Sequence, residues 1–221
     1  MSNQLDPGQF IISRKRKKYR FALFHNATSC FELEQWHPLA ERDLVVEVGA
    51  GTGLFLAELA ARHPERTFIA LDVKADRLQK GARQALERSL TNIFFVRARA
   101  DQLLEVVKPG TVQSLWLTFS DPFPKTRDAK RRLTHAKFLK LYKKAHVDKN
   151  AQLLFKTDSH ALFDWSLEQF VMDSWRLTAL SYDLHDSVLP DEYKIMTTYE
   201  QKWTTEGLPI MFVAASQDGA Q

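Results

Sequence analysis

Residues 47–53, which read EVGAGTG, are the first stretch of the chain whose types and spacing could bind a ligand. Glycines at alternate positions let the main chain turn tightly and let a ligand approach it, and amides at the start of a following helix then face that ligand. The pattern is not the dinucleotide fingerprint G-x-G-x-x-G, because residue 54 is Leu. Glu47 would repel a pyrophosphate, whereas it suits a ligand that carries an ammonium group and a positive sulfur.

Two more acids follow hydrophobic stretches that are typical of strands. Asp72 ends one stretch, where a carboxylate can accept hydrogen bonds from two ribose hydroxyls, and Asp101 follows the next, where it could accept from an adenine amino group. An Asp at the end of a strand is also a common helix cap. With the glycine loop, these acids resemble the S-adenosylmethionine site of the Rossmann-like methyltransferases. The resemblance implies S-adenosyl-L-methionine as cofactor, bound by Glu47, Gly49, Gly51, Gly53, Asp72, Asp101 and, from the loop described next, Asp121.

A loop with an acid between prolines follows the fourth predicted strand. Residues 119–125 read FSDPFPK, and the prolines stiffen the loop around Asp121. Ligands of parallel sheets bind at the carboxyl ends of strands, so Asp121 is expected beside the group to be transferred. Residues 126–132, TRDAKRR, follow with four cations and one acid. A substrate with phosphates is the interpretation we favour, and a solvated helix face or turn is the alternative.

A second cationic stretch lies near the N-terminus, where residues 14–20 read RKRKKYR. No hydrophobic period precedes it, so residues 1–22 are predicted to be a basic arm that is poorly ordered or orders only on binding. A solubilising or merely disordered terminus and a nuclear-import signal remain open as alternatives.

From residue 43 onward, hydrophobic runs and amphipathic stretches alternate with short connections. This alternation predicts a parallel sheet covered by helices on both faces, within a single domain of residues 23–221. In the stretch 76–90, Leu78, Ala82, Ala85, Leu86 and Leu90 are predicted to share the buried face. The predicted strands are 43–49, 67–73, 92–98, 112–119, 151–157, 174–183 and 208–216, and the predicted helices are 53–64, 76–90, 101–110, 134–147 and 160–173.

Composition excludes several classes of protein. The 221 residues carry a net charge of +4 and a single cysteine, Cys30, so a disulfide framework and a cysteine-rich zinc site are excluded. No apolar run approaches a bilayer span, and the N-terminus does not read as a secretory signal. A reducing cytoplasm is therefore the expected location. The seven histidines show no metal-ligand spacing, so no metal is expected.

Four blocks in order resemble one enzyme family. The run FSDPFPK followed by KRR is similar to the Phe-Pro-Asp-Pro-Trp-(Pro/His)-Lys…Lys-Arg-Arg signature of the tRNA (guanine-N7)-methyltransferases, the bacterial TrmB family. Residues 156–158, KTD, stand where that family has Ala-Thr-Asp, and residues 197–200, TTYE, resemble its Thr-Lys-Phe-Glu motif. The match spans about residues 43–215 and departs at Ser120, Phe123 and Thr198.

The resemblance implies a Rossmann-like class I S-adenosylmethionine-dependent methyltransferase with a mostly parallel seven-stranded sheet. The implied activity is formation of N7-methylguanosine at the variable-loop guanine (position 46) of tRNA, with Asp121 as the catalytic residue. The implied substrate-binding residues are Lys125, Asp158, Thr197, Thr198, Tyr199 and Glu200. The implied RNA contacts are Arg127, Lys130, Arg131, Arg132, Arg14, Lys15, Arg16, Lys17 and Lys18.

Two other functions remain open from the sequence. One is a methyltransferase that acts on another RNA position or on an amino group, and the other is a catalytically degenerate RNA-binding relative. Transfer of labelled methyl groups to tRNA, followed by identification of the nucleoside, separates them. Besides tRNA, the expected assembly is a monomer or homodimer without an obligate second subunit and without a membrane.

Overall fold

The structure is a computed structural model that describes residues 15–197, residue 200 and residues 207–217. Eight strands and six α-helices lie within these residues, joined by three short 3-10 helices. The strands are β1 (Cys30–Glu32), β2 (Leu44–Val48), β3 (Phe68–Asp72), β4 (Ile93–Arg97), β5 (Val112–Thr118), β6 (Gln152–Thr157), β7 (Trp175–Ser181) and β8 (Met211–Gln217). The α-helices are α1 (Lys15–His25), α2 (Leu54–Arg62), α3 (Ala75–Glu87), α4 (Leu103–Val106), α5 (Ala136–Ala145) and α6 (His160–Met172), and the 3-10 helices are Leu33–Gln35, Ala100–Gln102 and Thr126–Arg131.

All eight strands form one sheet in the order β1-β4-β3-β2-β5-β6-β8-β7. Strands β1 to β6 pair in parallel, while β8 runs antiparallel to both β6 and β7. The carboxyl ends of β2 to β6 therefore meet at one edge, which we call the carboxyl edge. The predicted alternation of strands and helices is confirmed.

The strand count differs from the seven predicted. The additional strand is β1, whose three residues pair Cys30 with Phe95 at the outer side of β4. A stretch this short has no measurable hydrophobic period, because two side-chain alternations do not distinguish a strand from a loop. Pairing with the main-chain edge of β4 holds these residues extended.

Residues 15–22 of the predicted basic arm belong to helix α1, and the poor order or ordering on binding expected of the arm stays a prediction. Behind the cationic run, Ala22 and Phe24 are buried in the core. Arg20 Nη1 lies 3.4 Å from Asp76 Oδ2 and ties the helix to α3. The predicted contact residue Arg14 lies outside the described residues.

The core lies on both faces of the sheet because successive strand residues point to opposite sides. Val46 and Leu71 face a cluster that includes α5 and α6, whereas Val45 and Ala70 face a cluster that includes α2 and α3. Within α3 the predicted buried face is confirmed at Leu78, Ala82 and Ala85. Leu86 was wrongly included, since it is 72% exposed. It is one residue, or about 100°, around the helix from Ala85.

None of the helices in the described part of the chain has the length and apolar character of a membrane span. In the same residues, no cluster of three His, Cys, Asp or Glu is arranged to hold a metal ion. Cys30 is buried in β1, and this burial raises the pKa of its thiol to about 12. That thiol is therefore protonated and unreactive at neutral pH.

Candidate active site

The loops that follow five parallel strands bring most of the predicted site residues to the carboxyl edge. The glycine loop follows β2, Asp72 ends β3, Asp101 follows β4, and Asp121 and Asp158 follow β5 and β6. Parallel strands with crossover helices place their ligand site at this edge. The sheet order makes β2 and β5 direct neighbours, so the glycine loop and the Asp121 loop adjoin.

The glycine loop has a backbone that only glycine adopts easily. Gly49, Gly51 and Gly53 have φ angles of +79°, +58° and +68°. A Cβ atom on Gly53 would lie 2.7 Å from Cε1 of the buried Phe95 ring, whereas one on Gly51 would meet nothing closer than 3.9 Å. The loop is thus packed tightly beneath Gly53 and is open above Gly51, where a ligand can approach the main chain.

Gly81 is a site-supporting residue that the sequence reasoning missed. It lies inside α3, and a Cβ atom there would come within 2.0 Å of the Thr52 carbonyl oxygen. Helix α3 therefore packs directly on the glycine loop. An isolated glycine within a helical pattern was the available signal, since it has a low helix propensity and often marks close packing.

Glu47 is buried at the end of β2, where its side chain is 1% exposed. Its Oε1 accepts a 2.5 Å hydrogen bond from the Thr118 hydroxyl of β5. Its Oε2 has no hydrogen-bond partner among the described residues. Burial raises the pKa of this carboxyl group to about 8. A buried acceptor without a donor is costly, so Glu47 fits a ligand that brings a positive donor.

Asp72 organises the glycine loop with both carboxylate oxygens. Its Oδ2 accepts from the Gly51 amide at 2.8 Å, and its Oδ1 accepts from the Lys74 amide at 2.8 Å. A carboxylate has about four acceptor positions, so lone pairs remain for the hydroxyls of a ribose. Asp72 is thus not the helix cap that the sequence left open, because the N-cap of α3 is Lys74 and has no side-chain cap hydrogen bond, and Asp72 keeps capacity for a ligand.

Asp101 is exposed after β4 at the carboxyl edge and is bound by a neighbouring side chain. Arg99 Nε and Nη2 donate to its two oxygens at 2.9 and 3.0 Å. These hydrogen bonds lower the pKa of Asp101. An adenine amino group would share this carboxylate with Arg99, a partner that the sequence reasoning did not identify.

The Asp121 loop leaves β5 through a strained backbone. Phe119 and Phe123 have φ angles of +49° and +41°, which are unfavourable for side chains with a Cβ atom. The Phe119 amide donates to the Lys156 carbonyl oxygen at 3.0 Å, which anchors the start of the loop on β6. Asp121 between them is exposed, and its carboxylate accepts no hydrogen bond from the described residues.

Arg132 contacts this loop, although its position in the cationic stretch predicted a phosphate contact. Its Nε donates to the Pro122 carbonyl oxygen at 3.0 Å and its Nη2 to the Phe123 carbonyl oxygen at 3.1 Å. The centre of its guanidinium lies 4.4 Å from the centre of the Trp165 ring on α6. The Arg132 side chain is half-buried, and these contacts join the loop to α6.

The other cations of the stretch face solvent. Lys125, Arg127, Lys130 and Arg131 are exposed on or beside the 3-10 helix Thr126–Arg131. The guanidinium of Arg131 lies 4.3 Å from the centre of the Phe123 ring. The segment therefore presents several positive groups next to the Asp121 loop.

A buried ion pair occupies the end of β6. Lys156 Nζ lies 3.1 Å from Glu200 Oε1, and both side chains have no exposed surface. The same Nζ donates to the Ile195 carbonyl oxygen at 2.9 Å. Burial lowers the pKa of Lys156, while the Glu200 carboxylate opposes this shift. Lys156 was noticed in the sequence only as part of a motif, because its partner is 44 residues away.

Glu200 also shapes the segment that contains Thr197. Its Oε2 accepts from the Thr197 amide at 2.6 Å, and the Thr197 hydroxyl accepts from the Glu200 amide at 3.1 Å. His185 Nε2 lies 3.3 Å from Glu200 Oε1. Glu200 therefore binds several groups of the protein, whereas the sequence predicted only a contact with guanine. Thr198 and Tyr199 lie outside the described residues.

Asp158 is half-buried and lies between the end of β6 and Ser159, the N-cap residue of α6. The Ser159 hydroxyl accepts from the Leu162 amide at 3.3 Å and starts that helix. Asp158 is thus placed on the same side of the carboxyl edge as Asp121, one strand further from the glycine loop.

Comparison with known proteins relates this chain to methyltransferases. A family described as "Putative methyltransferase" matches residues 41–213. A tRNA (guanine-N(7)-)-methyltransferase of Brevibacillus brevis is 38% identical over 171 residues, which are 77% of this chain and 79% of that protein. The protein of the same name from Staphylococcus carnosus is 36% identical over 194 residues, covering 88% of this chain and 90% of its own.

Solved structures agree on the fold. The 16S rRNA methyltransferase KamB superposes with a TM-score of 0.60 at 18% identity, covering 81% of this chain and 89% of its own. The antibiotic-resistance methyltransferase Kmr superposes with a TM-score of 0.56 at 18% identity, covering 82% of this chain and 89% of its own. The sheet and its carboxyl edge are thus those of class I methyltransferases.

Proposed function

The chain belongs to the tRNA (guanine-N(7)-)-methyltransferase family, and we propose that it methylates N7 of the variable-loop guanine at position 46 of tRNA. The observation that carries the proposal is the placement of two acids on neighbouring strands. Glu47 is the last residue but one of β2 and has one unpartnered buried oxygen, and the exposed Asp121 follows β5. The first suits the methyl donor and the second suits the acceptor base.

S-adenosylmethionine, when bound, supplies an electrophilic methyl group on a positively charged sulfur. Glu47 Oε2 would accept from the ammonium group of its amino-acid end. Asp72 would accept from the ribose hydroxyls, and the open main chain at Gly51 would line the same cleft. Gly49 and Gly53 hold the loop in its left-handed conformation. We assign the adenine contact to Asp101.

Guanine N7 carries an in-plane lone pair and needs no base to deprotonate it. In the reaction the bond from N7 to the methyl carbon forms while the bond from carbon to sulfur breaks, and positive charge moves to the purine. The protein therefore contributes chiefly by aligning the reactants. The Asp121 carboxylate would accept from the donor edge of guanine and stabilise the charge that develops there.

The substrate nucleotide would lie further along the carboxyl edge. We assign its contacts to Lys125, Asp158 and the segment 197–200, in which Glu200 orients Thr197 through two hydrogen bonds. A guanine inside a stack must be extruded at a cost of a few kcal/mol, and an RNA loop that is already splayed lowers this cost.

We assign phosphate contacts to two groups of cations. Arg127, Lys130 and Arg131 lie beside the Asp121 loop, and the basic run 14–18 includes the first residues of α1. We place the protein in the cytoplasm as a monomer or homodimer without an obligate second subunit. The location follows the tRNA substrate and the use of a single buried cysteine.

The test is methyl transfer to an identified nucleoside. Purified protein is incubated with S-adenosylmethionine labelled in its methyl group and with unmodified tRNA, and the product nucleosides are separated by mass spectrometry. We expect labelled 7-methylguanosine at position 46. Label in another nucleoside would redirect the proposal to another RNA position, and absence of label would favour the degenerate RNA-binding relative.

The role of Asp121 is tested by Asp121→Ala. We expect methyl transfer to be abolished while the affinity for S-adenosylmethionine, measured by calorimetry, stays close to that of the unaltered protein. Asp191→Ala is the control, because the Asp191 side chain is 97% exposed in a different loop. Normal turnover in Asp121→Ala would remove this assignment.

A further inference from the structure

We propose that Arg132 is a positioning residue whose guanidinium holds the 119–124 loop, and with it the Asp121 carboxylate, in the conformation that methyl transfer requires. The expected effect on methyl transfer rests on the proposed function. That Arg132 holds the loop rests only on the contacts of its side chain. It separates Arg132 from the neighbouring cations, which we assign to phosphate.

Three contacts define the position of the guanidinium. Two N–H groups donate to consecutive carbonyl oxygens, those of Pro122 and Phe123, at 3.0 and 3.1 Å. One face of the plane lies 4.4 Å from the centre of the Trp165 ring. A planar fork that donates in two directions and stacks on an aromatic ring is particular to arginine. Three of its five N–H groups have no partner in these contacts, so a phosphate contact is the alternative that the kinetic test must separate from positioning.

The loop has a physical need for such an anchor. Phe119 and Phe123, which bracket Asp121, both have positive φ angles, so other conformations of the loop are intrinsically favoured. The start of the loop is held by the hydrogen bond from Phe119 to Lys156, and its far end is held by Arg132. Among the described residues, no side chain binds the Asp121 carboxylate directly, so its direction follows from these two anchors and from the Arg131 guanidinium, which lies 4.3 Å from the centre of the Phe123 ring.

Trp165 makes the anchor rigid. It belongs to α6, and its ring also stacks against His135 with centroids 6.4 Å apart. The Arg132 side chain is thereby fixed to a helix that packs on the sheet rather than to another loop. Arg131 and Lys130, one and two residues earlier, make no hydrogen bond to these carbonyl groups and are exposed.

Kinetics distinguishes positioning from phosphate binding. For Arg132→Gln and Arg132→Lys we expect kcat to fall about tenfold or more, with KM for tRNA within about twofold and an unchanged salt dependence of tRNA binding. A phosphate contact predicts the reverse, because lysine would preserve it and glutamine would reduce the salt slope by about one. Lys130→Gln serves as the phosphate reference, for which KM should rise and the slope should fall.

A second readout does not depend on activity. Trypsin cleavage after Lys125 reports the mobility of the loop, and Arg132→Gln should accelerate this cleavage at least fivefold. Trp165→Leu should accelerate it as well, since it removes the stacking surface and keeps every charge. Lys149→Gln, on the connection before β6 at the opposite edge, is the control and should leave it unchanged.

The outcomes separate the two proposals. Unchanged cleavage in both Arg132→Gln and Trp165→Leu would overturn the positioning role, whatever the enzyme methylates. An unchanged kcat with a reduced salt slope would return Arg132 to the phosphate contacts. If the unaltered protein fails to methylate tRNA, the proposed function fails, while the cleavage comparison still decides whether Arg132 holds the loop.

Discussion

The carboxyl edge has two halves that are built differently, and we name them after their proposed roles: the cofactor half at the ends of β2 and β3, and the substrate half at the ends of β5 and β6. On β2 and β3 the acids Glu47 and Asp72 are buried and bonded within the protein, and the loop between them has a fixed left-handed backbone. After β5 the acid Asp121 and its cationic neighbours are exposed, and long side chains hold the loop from outside. A small ligand favours an enclosed, preformed pocket, whereas an RNA backbone requires an open charged surface.

The Lys156–Glu200 pair combines features of the two halves. It belongs to the substrate half by position, yet it is as enclosed as Glu47. The Lys156 carbonyl also anchors the Asp121 loop, so this residue connects the exposed half to the sheet. The following predictions test the contrast between the halves and are ordered by their expected effect on folding stability.

Lys156→Met should have the largest effect. It leaves the Glu200 carboxylate buried without its cation, and loss of one partner of a buried pair typically costs about 3–5 kcal/mol. Urea unfolding measures the change in the free energy of unfolding. Lys149→Met should stay within about 0.5 kcal/mol, because this exposed side chain forms no such pair. A loss below about 1 kcal/mol in Lys156→Met would mean that the pair does not stabilise the substrate half.

The titration of Glu47 should produce the next largest effect. Its pKa is raised by burial from 4.5 to about 8, so between these values the folded protein keeps a proton that the unfolded chain has released. Stability should therefore fall as pH rises through this window. Relative to Glu47→Gln, which cannot ionise, the loss should approach about 1.4 kcal/mol per pH unit.

Unfolding curves of the ligand-free protein from pH 5 to pH 8 measure this difference, with Glu47→Gln compared at each pH. Glutamine keeps an acceptor for the Thr118 hydroxyl, so the variant changes the charge more than the packing. Parallel stability profiles for the two proteins would show that Glu47 titrates near its ordinary value and that the cofactor half is more hydrated than its burial indicates.

Gly53→Ala should be the third in size and should affect the cofactor half alone. Its positive φ and the 2.7 Å approach to Phe95 together predict a loss of about 2–3 kcal/mol and weaker binding of S-adenosylmethionine. Gly110→Ala is the matched control, because Gly110 also has a positive φ, +73°, with nothing within 4 Å. Its cost should be about 1 kcal/mol, without a change in affinity. Equal effects would assign the whole cost to backbone strain.

Charge removal from the substrate half should have the smallest effect on stability and a large effect on RNA. The affinity for tRNA should fall steeply with salt, because neutralised phosphates release counterions. Replacing Arg127 and Lys130 by Gln should reduce the salt slope by about two and change the unfolding free energy by less than about 0.5 kcal/mol. Filter binding from low to high salt measures the slope, and a slope unchanged by the double replacement would place the RNA elsewhere.

The two halves also differ in how far sequence reasoning reached. Spacing identified the glycine loop, Glu47 and Asp72, because their relation is local to one strand-turn-helix unit and the next strand. The same reasoning did not find the contacts of Arg132 with Trp165 or of Lys156 with Glu200, since these partners are 33 and 44 residues apart. It also missed β1, whose extended form depends on pairing with β4.

By itself, the sequence determined the alternating architecture, the edge at which a ligand binds and the residue types available there. Hydrophobic period, glycine spacing and acids at strand ends depend only on residues that are near each other in sequence, so they can be recognised from the sequence. Only the tertiary structure decided which of those side chains are free and which are engaged. Arg132 and Arg131 are adjacent and chemically identical, yet Arg132 donates to two carbonyl oxygens of the Asp121 loop and packs on Trp165 of α6, whereas Arg131 is exposed and lies against the Phe123 ring. The physical reason is that burial and partner choice depend on elements brought together by folding, which no local pattern encodes.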